Sequence, residues 1–360
     1  MNRLVLIGNG FDLAHKLKTS YSDFIKDYLK NVINHYYQNN VYQDDLIEIS
    51  NRYVHNYFEN QNEVSSDNAM MVLRSFQFGK EKAFIMVKIK SAFFHNTLDK
   101  LENINWVDLE DDYFNNLLAC KSSRGFNLDK VKSLNDEFDF LKLKLEEYLI
   151  KVQKENEHSA SEEISEVFCE KIKGKDIVTL KMNDELPSRI LILSFNYTDT
   201  LEKYKKACQK CVDTQINYIH GKLEANSNPL IFGYGDEYNK SYLEFEDLKK
   251  KELLKHIKSF GYFKTSNYHN LIRFIEEDNF QVYILGHSLG LSDRTMLKQI
   301  FEHDKCKSIK FFYHKLSETQ NDYTDKTFDI SSHFSDKALM RKKIVPFDLS
   351  SPMPQPTFTT

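Results

Sequence analysis

The sequence predicts an α/β protein, a mostly parallel sheet that carries a large helical insertion, and three observations lead there. After Pro187 short apolar runs alternate with helix-patterned segments. A similar run, Leu4–Ile7, stands near the start without a strand-like neighbour. Between the two, the chain is charged, helix-patterned and nearly free of glycine and proline. A βα rhythm implies parallel strands with helices on both faces.

Residues 3–7 read as a buried strand ended by the Gly8-Asn9-Gly10 turn, with a helix from about Phe11. A second helix should start where Ser20 can cap and Asp23 falls in the first turn. KAFIMVKIKSAFF (82–94) and the stretch 134–168 read as helical, since scarce glycine and proline argue against strands and hairpins. Beyond Pro187, strands are expected at 190–194, 216–219, 230–233, 281–285 and 308–313, with helices over 199–208 and 291–303. The first strand should join this later sheet. Residues 1–30 and 186–320 then form one discontinuous core, 31–185 an insertion, and 321–360 an extension with an irregular tail after Ile344.

A net charge of −4 with a pI near 6.3 gives no global bias toward nucleic acid or anionic membrane. No apolar stretch approaches the ~18 residues that span a bilayer, and MNRLVLIG is too short an apolar start for a secretory signal. Five scattered cysteines suggest reduced thiols and a cytoplasmic setting. Cys208 and Cys211 form a CxxC, but no second pair stands at a finger-like distance, so free thiols are expected and no metal.

Seven of the eleven glycines (Gly8, Gly10, Gly221, Gly233, Gly235, Gly286 and Gly290) follow apolar runs, at expected strand ends. Ligands bind at the carboxyl ends of parallel strands. Gly8-Asn9-Gly10 can present amides to phosphate, or simply make a tight turn; the dinucleotide fingerprint is incomplete, with Leu13 at the third glycine position. Asp12 would be repelled by pyrophosphate and suits a cap, a ribose hydroxyl or a loop amide. Asn196, in FNYT, can orient a carboxamide or water, or bond its own turn. His220 before Gly221 suits a general base, or a structural imidazole. Gly286-His287-Ser288-Leu289-Gly290 matches the GxSxG of serine hydrolases, with Asp304 and His314 or Asp322 and His333 as formal partners, yet a loop and cap follow where a helix should start. GYGDE (233–237) is a candidate for metal ligation in a nuclease-type effector.

Taken in order, GNGFD, SFNYT, IHG and GHSL resemble the sirtuin-like, Rossmann-type NAD-binding fold. The opening LIGNGFDLAHKLKTSYSDF, the WVDLE segment (106–110) and FNYTDTLE resemble more specifically the bacterial abortive-infection AbiH family of phage-defence proteins, over residues 3 to about 320. The resemblance implies an antiviral effector that cleaves the nicotinamide–ribose bond of NAD. It implies that Gly8, Asn9 and Gly10 line the dinucleotide phosphates and that Asn196 holds the nicotinamide ribose and water. His220 would be the base, Gly286 and Ser288 would meet the adenosine half, and Asp293 would hold that loop or helix start. Asp12 counts with the ligand-binding set. The four-cysteine zinc module of deacetylating sirtuins is absent, so peptide deacylation is not implied. Trp106, Asp108 and Glu110 either fold over the site or begin an amphipathic helix. The rival reading is a defence sensor that binds a nucleotide without turning it over. A phage-derived trigger, a partner protein or a homo-oligomer is compatible with either.

Overall fold

The structure is a computed structural model that describes residues 1–52, 63–104, 109–123, 125–155 and 159–356. Its strands are β1 (Asn2–Ile7), β2 (Val41–Gln43), β3 (Ile47–Asn51), β4 (Ile85–Ile89), β5 (Lys121–Ser122), β6 (Gly125–Phe126), β7 (Arg189–Ser194), β8 (Asp213–Tyr218), β9 (Phe280–Leu285), β10 (Cys306–Tyr313) and β11 (Ser351–Pro352). The chain divides into two compact units, one of residues 1–17, 149–247 and 257–360, the other of 18–148 and 248–256.

The first unit is built on a six-stranded sheet in the order β11-β10-β9-β1-β7-β8, every pair parallel. β1 does join the later strands, as the sequence predicted, and lies at the centre. Its alternate residues feed two cores. Leu4 and Leu6 pack with Leu271, Phe274, Leu297 and Ile300 from the helices Asn267–Glu277 and Arg294–Glu302. Val5 and Ile7 pack with Phe11, Ile164, Phe168 and Tyr204 on the opposite face. The two-residue period of a strand makes this split unavoidable once both faces are covered. Arg3, fully buried, is tolerated because its Nη1 donates to the carbonyls of Phe168 (3.0 Å) and Glu170 (2.6 Å), and its guanidinium lies 4.1 Å from the Tyr283 ring centroid.

Three expectations for this unit need correction. Residues 230–233 form no strand; they run as buried irregular chain, with Ile231 N–H donating to the His220 carbonyl at 2.8 Å. Residues 149–185 belong here and not to an insertion beginning at 31, because Ile164 and Phe168 complete the core beside Val5 and Ile7. The tail after Ile344 is ordered onto the sheet edge: Val345 N–H donates to the Ile309 carbonyl, and β11 pairs with Phe312 and Tyr313.

The second unit contains the helices Tyr21–Asn39, Ala92–Ile104 and Leu109–Ala119, and Ser20 caps the first by accepting from Asp23 N–H at 3.1 Å, as expected. It also holds an antiparallel sheet, β2-β3-β4, where helix alone was predicted. The β2–β3 turn needs no glycine because the Asp44 carboxylate accepts from Leu46 and Ile47 N–H, both at 2.9 Å. Ile85, Val87 and Ile89 alternate with Met86 and Lys88, a strand period within the run read as helix.

Candidate functional site

Register sets the site. Ile7 pairs with both Ser194 and Leu285, and Ser194 pairs with Tyr218. The carboxyl ends of β9, β1, β7 and β8 are therefore level, and the turns beginning at Gly286, Gly8, Phe195 and Ile219 leave the sheet along one edge. The chain steps from β1 through β7 to β8 and returns to β9 on the other side of β1, so the β1/β9 junction is the topological switch point where open α/β sheets bind ligands.

That junction is filled by the protein itself. Gly8 N–H donates to the Leu285 carbonyl (3.3 Å) and Gly10 N–H to the Gly286 carbonyl (2.8 Å). A Cβ on Gly10 would stand 2.8 Å from Gly286 Cα, and one on Gly286, where φ is +70°, 2.2 Å from Phe11 N. These glycines let two turns touch backbone to backbone, so the amides of Gly8 and Gly10 do not stand ready for phosphate. Asn9 and Ser288 are exposed on the same edge.

Asn196, buried, ties β7 to this turn by donating from Nδ2 to the Gly8 carbonyl at 3.0 Å. Beside it the Asp12 carboxylate accepts from Thr198 Oγ1 at 2.6 Å. Burial pushes the Asp12 carboxyl up to about 6, despite hydrogen bonds from Thr198, Thr200 and Asn196 that favour the charged form.

His220 emerges from β8 into a cluster of charges. Its Nε2 lies 3.0 Å from Asp293 Oδ1 and 3.3 Å from Tyr262 Oη. Lys258 Nζ, fully buried, reaches the same Asp293 oxygen at 2.9 Å, and His287 Nε2 stands 3.9 Å from Oδ2. The Phe195 ring contacts both imidazoles, with centroids 5.1 Å from His220 and 4.2 Å from His287. Burial would raise the Asp293 carboxyl, but Lys258, then His220 and His287, hold it far below the ordinary carboxylate range. Burial, helped by Lys258, holds the His220 imidazole below its usual value against the pull of Asp293. His287 is pushed down to about 3, chiefly by burial. The arrangement is an ionised carboxylate orienting a neutral imidazole, the relation that makes a histidine an effective base. Asp293 sits at the N-cap of the helix Arg294–Glu302 without capping it by its side chain, which is committed to Lys258 and His220.

Asp293 and Tyr262 also line a cavity of about 620 Å³, whose other walls include Glu237, Tyr268, Arg273 and Met296. The residues that sequence reasoning missed are thus Lys258, Tyr262 and His287. Only His287 lay in a quoted motif, and the other two sit in a stretch with no recognisable spacing. Asn196, Gly8, His287, Asp293 and His220 form a continuous chain of contacts; of these only Asp293 lines the cavity, and His220 lies one contact behind it, against Asp293 and Tyr262.

The GxSxG segment lacks hydrolase geometry. His333 Nε2 lies 2.8 Å from the Leu289 carbonyl instead of serving the Ser288 hydroxyl. In GYGDE, Asp236 accepts from Arg294 Nη1 (3.3 Å) and Tyr238 N–H (3.0 Å). Among the described residues no three histidine, cysteine, aspartate or glutamate side chains are arranged to hold a metal, and no helix is long and apolar enough to cross a membrane. All five cysteines are free thiols, with Cys208 buried and Cys211 exposed. Trp106 and Asp108 lie outside the described residues; Glu110 is buried in the second unit. The sequence pattern of one family, described as Bacteriophage abortive infection AbiH, matches residues 4–315. No curated protein and no solved structure matches the chain.

Proposed function

The chain belongs to the AbiH family of bacteriophage abortive infection, and from that premise we propose that it is a defence effector that binds NAD and hydrolyses its nicotinamide–ribose bond. One observation carries the reading. His220 Nε2 is held 3.0 Å from an ionised, buried Asp293 that also faces an open cavity at the carboxyl edge of a parallel sheet. The glycosidic C–N bond breaks with its electron pair passing to the cationic nicotinamide ring. Water adds to the ribose carbon and gives its proton to Nδ1 of neutral His220, whose Nε2–H is held by Asp293, and Asp293 steadies the imidazolium that forms. Asn196 and Asp12 brace the β1 turn from behind, through the Gly8 carbonyl and Thr198, and Gly8, Gly10 and Gly286 lock that turn to the β9 turn by close packing. Asn9 and Ser288, exposed on the same edge, meet the remote half of the dinucleotide. The product pair is nicotinamide and ADP-ribose.

Purified protein incubated with NAD should release nicotinamide, and His220→Ala should lower the rate by roughly 10² to 10⁴. Asn196→Ala should lower it too. Because His220 is held below its ordinary value, activity should persist as pH falls past the usual histidine range and decline only below it. Intact NAD with the wild-type protein, in the presence of phage lysate as well as without it, sinks the hydrolase. A second reading, binding without turnover, is favoured by the full commitment of the Gly8 and Gly10 amides to the chain itself. Tight NAD binding with no nicotinamide release would select it.

A further inference from the structure

We propose that the cavity beside Asp293 is a nucleotide subsite in which Tyr262 and Tyr268 hold a heteroaromatic base, Glu237 a sugar hydroxyl or exocyclic amine, and Arg273 a phosphate. At about 620 Å³ it falls within the several-hundred Å³ range of small-molecule pockets. Its walls suit a flat ring. Tyr262 and Tyr268 stack on each other with centroids 5.2 Å apart and 27° between planes, and Ile272 and Met296 add apolar surface. Tyr268 is fixed by donating its hydroxyl to Gln299 Oε1 at 2.5 Å.

The charged groups on this cavity divide into engaged and available. Asp293 is held by Lys258 and His220. Glu237 and Arg273 have no ion-pair or side-chain hydrogen-bond partner among the described residues, although both line the space. An unpaired guanidinium at an exposed rim matches phosphate, and a half-buried carboxylate matches hydroxyl or amine donors. A nucleotide presents these groups in one molecule: ring, sugar and anion. The need for such a cation also follows from the glycine turns. Since the Gly8 and Gly10 amides are consumed and Lys258 is committed to Asp293, an anionic ligand near His220 must find its charge partner elsewhere. Tyr262 connects the subsite to the base through its 3.3 Å contact with His220. The inference deepens the NAD reading and rests on it only for the identity of the dinucleotide that spans the subsite and His220.

The test is calorimetric titration of the full-length protein with adenosine monophosphate and, separately, adenosine, with nicotinamide release from NAD assayed on the same samples. Arg273→Ala should weaken the monophosphate roughly tenfold and leave adenosine unchanged, with Arg273→Lys recovering part of the loss. Tyr268→Leu should weaken both ligands. Thermal unfolding of each variant verifies that it is folded; Arg273, being exposed, supplies the comparison if Tyr268→Leu does not fold. Monophosphate affinity unchanged in Arg273→Ala, or no binding of either ligand to the wild-type protein, overturns the subsite. If NAD is cleaved under those circumstances, the hydrolase reading stands without it. Monophosphate binding that responds to Arg273→Ala while NAD stays intact supports the subsite and removes the hydrolase.

Discussion

Two neighbouring parts of the sheet's carboxyl edge use glycine and charge in opposite ways. At the β1/β9 junction, Gly8, Gly10 and Gly286 bring main chain against main chain, and the amides that could meet a ligand are spent on carbonyls. In the segments that follow β8 and β9, side chains make the candidate site. Lys258 and His220 converge on one Asp293 oxygen next to open space. Both regions begin as an apolar run followed by glycine or histidine-glycine. The difference shows that a strand-end glycine permits close approach without specifying whether ligand or protein does the approaching.

The comparison breaks most severely at Lys258. Lys258→Met strands a buried carboxylate, and stability should fall by roughly 3–5 kcal/mol, read as a drop in denaturant midpoint. Lys258→Met combined with Asp293→Asn should lose less than Lys258→Met alone; a double variant at least as unstable would mean that the pair is not the source of the loss.

On the glycine side, Gly286→Ala should cost roughly 3 kcal/mol through overpacking and a strained positive φ, measured by thermal unfolding. Gly290, whose Cβ would meet nothing nearer than 3.6 Å and whose φ is negative, should accept alanine within about 0.5 kcal/mol. Equal effects at the two positions would erase the distinction between a packed turn and an open one.

Asp12 sharpens the same contrast through pH. Folded, its carboxyl keeps the proton up to about 6, against an ordinary value of 3.8. The folded form therefore binds the proton more tightly, and its contribution to stability, complete below pH 3.8, is lost as pH rises through about 6. Asp12→Asn, permanently neutral, should exceed wild type by up to roughly 3 kcal/mol at pH 7. The gap should close as pH falls toward 4, measured as unfolding free energy across that range. A gap that is flat with pH would show that Asp12 is already ionised without penalty. The buried imidazole of His287, pushed down to about 3, acts in the opposite sense: stability from its neutrality is lost as pH falls below the ordinary histidine range. It cancels in the comparison of the two proteins.

Much of the architecture was legible because both sheet faces are covered. Leu4–Ile7 and Ile190–Leu193 are continuous apolar runs, and each became a strand at the expected place. β4 was not read, since Ile85, Val87 and Ile89 are embedded in lysines and phenylalanines that also suit a helix, and its sheet turns on a side chain, Asp44, with no glycine to announce it. In the candidate site, Asn196 and His220 were legible only as polar residues at expected strand ends, and both are buried there. Lys258 was not, because its meaning depends wholly on Asp293, 35 residues away in sequence. The amide commitments of Gly8 and Gly10 were likewise invisible: they depend on which strand lies beside β1, a fact of topology.

The clasp of residues 344–353 along β10 has a consequence for handling and for life in a crowded cell. Where Val345 and β11 meet Ile309, Phe312 and Tyr313, they occupy hydrogen-bonding positions that an outermost strand otherwise offers to any passing chain. Proteolytic loss of this strap would leave a hydrophobic ribbon with open valences, and molecules so clipped should stick to one another through it.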